Sequence, residues 1–373
     1  MTESAATVGE CSERDLIARI RRGLPPAPGW LLVGIGDDAA VIEPERNRAE
    51  VLTVDALVEG IHFDRAFVPA AAIGHRALAV NLSDLAAMGA APRLALLSMA
   101  VPPALPLDEF DGIVSGFTAL ARQHAVHVVG GNLTRSPGPL MLDVTVMGTV
   151  KRRQALPRGG ARPGDEVYVS GTIGAAAAGL ALLRERRTTN DERRTSNDEP
   201  RTTNVDLRTT NDAYLSRSFL YPEPRLALGV HLSRNRAASA CMDLSDGLAD
   251  GLRQIAEASG VGMVIDTTAL PIAPETRAFF ADSALDAVTQ ALTAGDDYEL
   301  LFTVRPRTSR RLKEAARRGG VPLTRIGRCT AERGIVLERA GLPPLDASAL
   351  PRGFTHFRPF DKLRVVPSDV EGR

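Results

Sequence analysis

The sequence has only three cysteines, Cys11, Cys241 and Cys329, far apart and without a CxxC pair. An odd number at such spacings excludes a disulfide scaffold and a zinc ribbon, and reads as reduced thiols. Aromatic residues make up 4% of the chain. That leaves few stacking platforms for single-stranded nucleic acid and requires a core built from Ala, Leu and Val. Formal net charge is zero, so there is neither a global basic field to hold nucleic acid nor an acidic tail. No apolar run reaches the length of a membrane span, because Gly, Asp or Pro interrupts each of the longest ones. The opening MTESAATVGECSERD lacks a basic stretch followed by an apolar one, so no signal peptide is expected. Together these absences predict a cytoplasmic protein with no membrane and no nucleic-acid partner.

What is present is ordinary for a globular chain, with 44% hydrophobic and 24% charged residues. Its 373 residues suffice for two domains. Hydrophobic periodicity predicts helices over 13–23, 73–88 and 107–124. Strands are expected at WLLVGIG, over 50–55 and 94–101, at VHVVGG and at PLMLDVTVMGTV. We read 1–150 as an N-terminal α+β domain and 151–165, rich in Arg, Gly and Pro, as a linker. A second α+β domain follows over 166–360, and 361–373 form a tail. Residues 186–212 carry RTTND, RTSND, RTTNV and RTTND, a polar repeat with almost no apolar content. Such a segment buries too little to order itself and is expected to be a disordered insertion.

Six short segments carry the chemistry. In GIGDDAAV, a strand delivers Asp37 and Asp38 to a glycine turn. Adjacent like charges are costly unless a cation screens them, and a hard divalent ion takes such oxygen ligands. In LTVDALVEGIHF, Asp55 is expected to end a strand, with Glu59 and His62 three residues apart beyond it. In AVNLSDLAAMGA, Asn81 and Asp84 share one side of an apolar helix, where a lone carboxylate needs a positive partner. VVGGNLTR reads as a strand ending in Gly-Gly, with Asn132 after a backbone that can approach a phosphate closely. CMDLSDGLADGL groups Asp243, Ser245, Asp246 and Asp250 where a strand becomes a helix, and one of them can serve as a cap. TAGDDYELLF puts Asp296, Asp297 and Glu299 at a turn into a strand. Each also reads as a plain polar turn or exposed stripe. Jointly they suit a multi-metal site at a domain or subunit boundary. GxSxG and HExxH are absent, so neither a serine-hydrolase elbow nor a zinc helix is present.

In this order, GIGDDAAV, TVDALVEGIHF, AVNLSDLAAMGA, GGNLTR, LPRGGARPGD, VSGTIG, MDLSDGL and AGDDYELLF resemble the thiamine-monophosphate kinases of the aminoimidazole-ribonucleotide-synthetase-like superfamily. The resemblance implies an N-terminal mixed β-sheet with helices that pairs in a homodimer, and a C-terminal α/β sandwich. It implies Mg²⁺-assisted direct phosphoryl transfer from ATP to thiamine monophosphate, giving thiamine diphosphate. By motif position, Asp37, Thr53, Asp55, Asp84, Asn132, Asp243 and Asp246 would hold magnesium. Gly131, Asn132, Arg158 and Ser245 would face ATP, while His62, Asp296 and Phe354 would face the thiamine phosphate. No residue is assigned as a general acid or base.

The chain departs from the family pattern at three positions. GGNL stands where the family usually reads GGDT, so Asn132 keeps a carbonyl oxygen but removes a charge, which weakens a Mg²⁺ site. Asp296 shortens a usual Glu, and Val54 replaces a frequent Thr. The alternatives are another ATP-dependent enzyme of the superfamily, or a non-catalytic nucleotide- or thiamine-phosphate-binding protein.

Overall fold

The computed structural model describes residues 6–194 and 209–350. Helix α1 (Glu13–Arg22) starts on Ser12, whose hydroxyl accepts the Asp15 N–H in a capping box. A short hairpin of β1 (Leu31–Val33) and β2 (Val41–Ile42) follows. Then come β3 (Arg48–Val58), α2 (Ala70–Ala87), β4 (Ala91–Val101), α3 (Leu107–Gln123), β5 (His127–Arg135) and β6 (Met141–Lys151). These form a four-stranded sheet in the order β3-β6-β4-β5, with β4 and β5 parallel and the other pairs antiparallel. The mixed sheet carries α2 and α3 on one face.

The C-terminal half contains β7 (Glu166–Ser170), α4 (Ala175–Arg194), α5 (Thr210–Leu220), α6 (Leu226–Asn235), β8 (Ala240–Asp243), α7 (Leu248–Ser259) and β9 (Gly262–Asp266). After them come α8 (Pro274–Asp282), α9 (Ala287–Thr293), β10 (Leu300–Val304), α10 (Ser309–Gly319), β11 (Leu323–Thr330), β12 (Ile335–Arg339) and β13 (Leu342–Asp346). A seven-stranded sheet runs β13-β12-β9-β11-β7-β10-β8, antiparallel except for the β12–β9 pair. The α+β class expected from sequence is what the chain forms.

One core lies wholly within the C-terminal half, around Val167, Met242, Leu252, Met263 and Leu301, and another is shared between the halves. One apolar cluster contains Leu78, Leu82 and Leu85 of α2 together with Leu228, Leu232, Leu300 and Phe302 of the C-terminal half. Helix α2 is therefore shared, buried on nearly every side, with Ala72, Leu78, Leu82 and Leu85 at 0–1% exposure. Its fit against α6 depends on Gly229, where a Cβ would sit 1.9 Å from the Ala86 carbonyl oxygen.

Three expectations are corrected. Asp55 does not end its strand: β3 continues to Val58, because Asp55 pairs with Val144 of β6 and the inward alternation resumes at buried Leu57. Gly130-Gly131 is not a turn but lies inside β5, opposite Leu96 and Leu97. The polar repeat is not irregular from residue 186, since α4 runs on to Arg194 and α5 begins at Thr210. Arg and Glu are good helix formers, and ion pairs of Arg186 with Asp212 and Arg187 with Asp64 hold the extension down. The middle of the repeat, the tail and Phe354 lie outside the described residues.

Candidate active site

A cavity of about 1390 Å³ opens between the two halves. Strand β3 and the loop after it supply Asp55 and His62, and α2 supplies Arg76 and Asp84. From the C-terminal half come Asp243, Ser245 and Asp246 around the end of β8, and Asp296 and Tyr298 ahead of β10. The two segments are braced together, since Asp296 N–H donates to the Ser245 carbonyl at 2.8 Å and Tyr298 N–H to that of Leu244 at 2.9 Å. Ser245 and Asp246 sit just ahead of α7, whose N-terminal dipole favours an anion there.

The floor of the cavity is a carboxylate cluster. Asp84 projects from α2 toward β3, where the Thr53 hydroxyl donates to it. Ser83, one residue earlier, donates its hydroxyl to Asp243 at 2.7 Å, so neighbouring residues of one helix tie together the acids of both halves. Burial, with Asp84 and Asp143 nearby and a hydrogen bond to Asp84, pushes the Asp55 carboxyl up to about 6. Burial and the charge of Asp84 push Asp243 up to about 7. Asp84 is raised by burial too, with Arg158 among the groups that hold it back. Two carboxylates in hydrogen-bond contact need either a shared proton or a cation.

Arg158 itself is exposed and donates to the Gln254 side chain at 2.6 Å, which in turn donates to Asp250 at 2.6 Å. His62 lies in a turn rather than on a helix, and its Nδ1 accepts the Val58 N–H at 3.0 Å. Glu59 faces away, holding Arg65 at 2.7 Å.

Not every acid of the sequence clusters belongs here. Both Asp297 carboxyl oxygens accept the Gly174 N–H, at 2.9 and 2.8 Å, so the head of α4 is filled by the protein's own carboxyl group. Glu299 is 2% exposed and accepts from both Arg225 and Ser170. Asp37, Gly131 and Asn132 are exposed and do not line the cavity. Gly131 stands in register with Leu97, Val144 and Asp55 across the sheet. That places it three strand spacings, about 14 Å, from Asp55. Asn132 alternates onto the sheet face away from α2, beside Ser98 and Asp143.

Sequence reasoning missed Arg76 and Tyr298. Arg76 is 1% exposed, stacks on Phe219 with its guanidinium 4.3 Å from the ring centre, and donates to Asp296 at 2.9 Å. The available signal was an arginine on the second turn of a largely apolar helix.

Residues 36–150 match the family model of the AIR synthase related protein N-terminal domain, and 162–339 that of its C-terminal domain. The thiamine-monophosphate kinase of Salmonella typhimurium is 36% identical over 336 residues, which are 89% of this chain and 95% of that protein. This chain belongs to the thiamine-monophosphate kinase family. The Bacillus subtilis member is 37% identical, with 79% of this chain and 84% of that one matched. The crystal structure of the kinase from Stenotrophomonas maltophilia K279a superposes with a TM-score of 0.75 at 39% identity, over 88% of this chain and 96% of that one. AaThiL complexed with AMPPCP and TMP superposes at 0.68 with 30% identity, over 93% and 98% of the two chains. The hydrogenase maturation protein HypE of E. coli shares the fold, with a TM-score of 0.69 at 18% identity. Among the described residues, no helix is long and apolar enough to cross a membrane.

Proposed function

We propose that this chain transfers the γ-phosphoryl group of ATP to the phosphate of thiamine monophosphate, forming thiamine diphosphate and ADP. Membership of the kinase family supports the reaction, and the observation that carries it onto this molecule is the cavity between the halves with its floor of Asp55, Asp84, Asp243 and Asp246. The acceptor oxygen is already anionic, so the reaction needs charge neutralisation and alignment rather than a strong base. A bond forms from that oxygen to the γ-phosphorus as the bond to the ADP oxygen breaks. No side chain need take a proton, which fits a cavity in which His62, the histidine among its described lining residues, uses Nδ1 to accept the Val58 N–H.

The donor set fits magnesium. It is all oxygen, and the Asp55–Asp84 contact is one that a cation would relieve. Among the described residues, no three His, Cys, Asp or Glu side chains converge closely enough to enclose an ion alone. Mg²⁺ here would therefore share carboxylates of Asp55, Asp84, Asp243 and Asp246 with phosphate oxygens, as this ion commonly does. Bound there, it would screen the phosphates and neutralise charge developing on them. Thr53 and Ser83 would orient Asp84 and Asp243. We assign His62 and Asp296 to the thiamine phosphate, and Ser245 and Arg158 to ATP.

Asp37, Gly131 and Asn132 are exposed outside the cavity, and Asn132 lies on the sheet face opposite α2, which also exposes Leu52 by 66%, Val54 by 59% and Leu96 by 37%. An apolar sheet face of this kind suits a second copy of the chain. On this reading the outer residues serve ATP beside a homodimer contact, in the cytoplasm.

The test measures ADP release with ATP, Mg²⁺ and thiamine monophosphate in wild type and Asn132→Asp. Restoring the charge should lower the Mg²⁺ concentration needed for half-maximal rate several-fold. Intact ATP binding without acceptor-dependent ADP release in either protein would refute the kinase reading.

A further inference from the structure

Asp296 lines the cavity with an unusual amount of support. Its backbone is left-handed, at φ +70°, and so is that of Tyr298, at φ +50°. A non-glycine residue there is strained and persists only when its surroundings insist on it. Three contacts do so. Its N–H is held by the Ser245 carbonyl at 2.8 Å, and its Oδ1 accepts from Arg76 Nη2 at 2.9 Å and from the Tyr298 hydroxyl at 3.1 Å. Both side-chain donors choose the same oxygen. Among the described residues, no hydrogen-bond donor reaches Oδ2, and the side chain keeps 33% exposure while Arg76 beside it keeps 2%. Arg76 is itself fixed from a second direction, since it donates to the Phe219 carbonyl and stacks on the Phe219 ring. It reaches from α2 of one half to two segments of the other.

We propose that Arg76 and Tyr298 are positioning residues that fix one oxygen of Asp296 and so aim the other at the electropositive organic half of the acceptor, either its cationic ring or an N–H donor. This rests on the proposed assignment of Asp296 to the thiamine phosphate. The physical case is geometric. An aspartate side chain has two rotations, and two donors converging on Oδ1 from different segments restrict both. Burial keeps the Tyr298 hydroxyl protonated, and therefore a donor, throughout the working pH range. Because Arg76 compensates part of the Asp296 charge, the free oxygen selects by direction as well as by charge. The carboxylate floor at Asp84 and Asp243, proposed above to hold Mg²⁺, takes no part in these hydrogen bonds.

The experiment compares steady-state kinetics of Tyr298→Phe, Arg76→Lys, Asp296→Asn and the double variant Tyr298→Phe/Asp296→Asn, in the full chain with ATP, Mg²⁺ and thiamine monophosphate. Tyr298→Phe should raise KM for thiamine monophosphate at least about 10-fold and leave KM for ATP within about twofold, the loss of one hydrogen bond to a charged group. Arg76→Lys, which keeps a charge but loses the fork, should do the same. Asp296→Asn should raise the same KM, and the double variant should be no worse than Asp296→Asn alone, because the hydroxyl acts only through the acid. If Asp296→Asn changes nothing, the assignment of Asp296 to substrate fails and the inference falls with it. If Asp296→Asn raises KM while Tyr298→Phe does not, or the two losses multiply, the assignment stands and the positioning role is overturned.

Discussion

The side chain on which the two halves converge is Asp84. It accepts from Thr53, contacts Asp55 and raises the pKa of Asp243. Replacing it by Asn removes one of three mutually repelling acids. Asp84→Asn should therefore raise the melting temperature of the metal-free protein while lowering kcat at least about 100-fold, a stability gain at the expense of function. Melting curves and turnover on the same preparation check both halves of that statement. The protonation of the cluster gives a second prediction. Asp55 and Asp243 keep protons to about 6 and about 7, whereas an ordinary Asp releases its own near pH 4. Between those values the folded chain holds protons that the unfolded chain has lost, so these groups withdraw stability as pH rises from about 4 to about 7. A divalent cation replaces the missing positive charge. Mg²⁺ should thus raise the melting temperature more at about pH 8 than at about pH 5.5, and equal shifts at the two values would contradict the account.

At the scale of elements, α2 and β5 show what a sequence reveals and what it conceals. The apolar stripe of α2, Leu78, Leu82 and Leu85, is plain from its spacing, and Asp84 stands out against it. Arg76 does not, because an arginine on the second turn of a helix looks like a surface residue until Phe219 and Asp296, 143 and 220 positions away, are packed around it. Clusters that look alike in sequence also separate in space. Asp296 faces the cavity, whereas its neighbour Asp297 caps α4 and Glu299 neutralises Arg225. Only long-range pairing decides that. Gly131 is the reverse case, where a glycine read as a phosphate cradle has a structural duty as well. A Cβ there would lie 1.9 Å from the Leu97 carbonyl oxygen. Gly131→Ala should cost about 1–3 kcal/mol in stability through overpacking, visible in chemical denaturation even without nucleotide. An unchanged denaturation midpoint would show that β5 has room, and that the glycine serves a ligand alone.

At the scale of the whole molecule, the open sheet face matters most. Leu52, Val54 and Leu96 leave it too apolar for a face meant for water, and the β1–β2 hairpin covers only the corner near Leu94, Val129 and Met147. If this face pairs two chains, Leu52→Asp should shift sedimentation from dimer to monomer and weaken ATP binding with it, because Asn132 shares the face. On the proposed reaction, phosphorus passes directly from ATP to thiamine monophosphate over the carboxylate floor. This transfer is tested most directly by incubating the protein with [γ-³²P]ATP, Mg²⁺ and thiamine monophosphate and separating the products. Label is expected in thiamine diphosphate, equimolar with ADP, with none on the protein, and the labelled product should be lost in Asp84→Asn. Label appearing only in inorganic phosphate or on the polypeptide, with no labelled thiamine diphosphate, would contradict direct transfer.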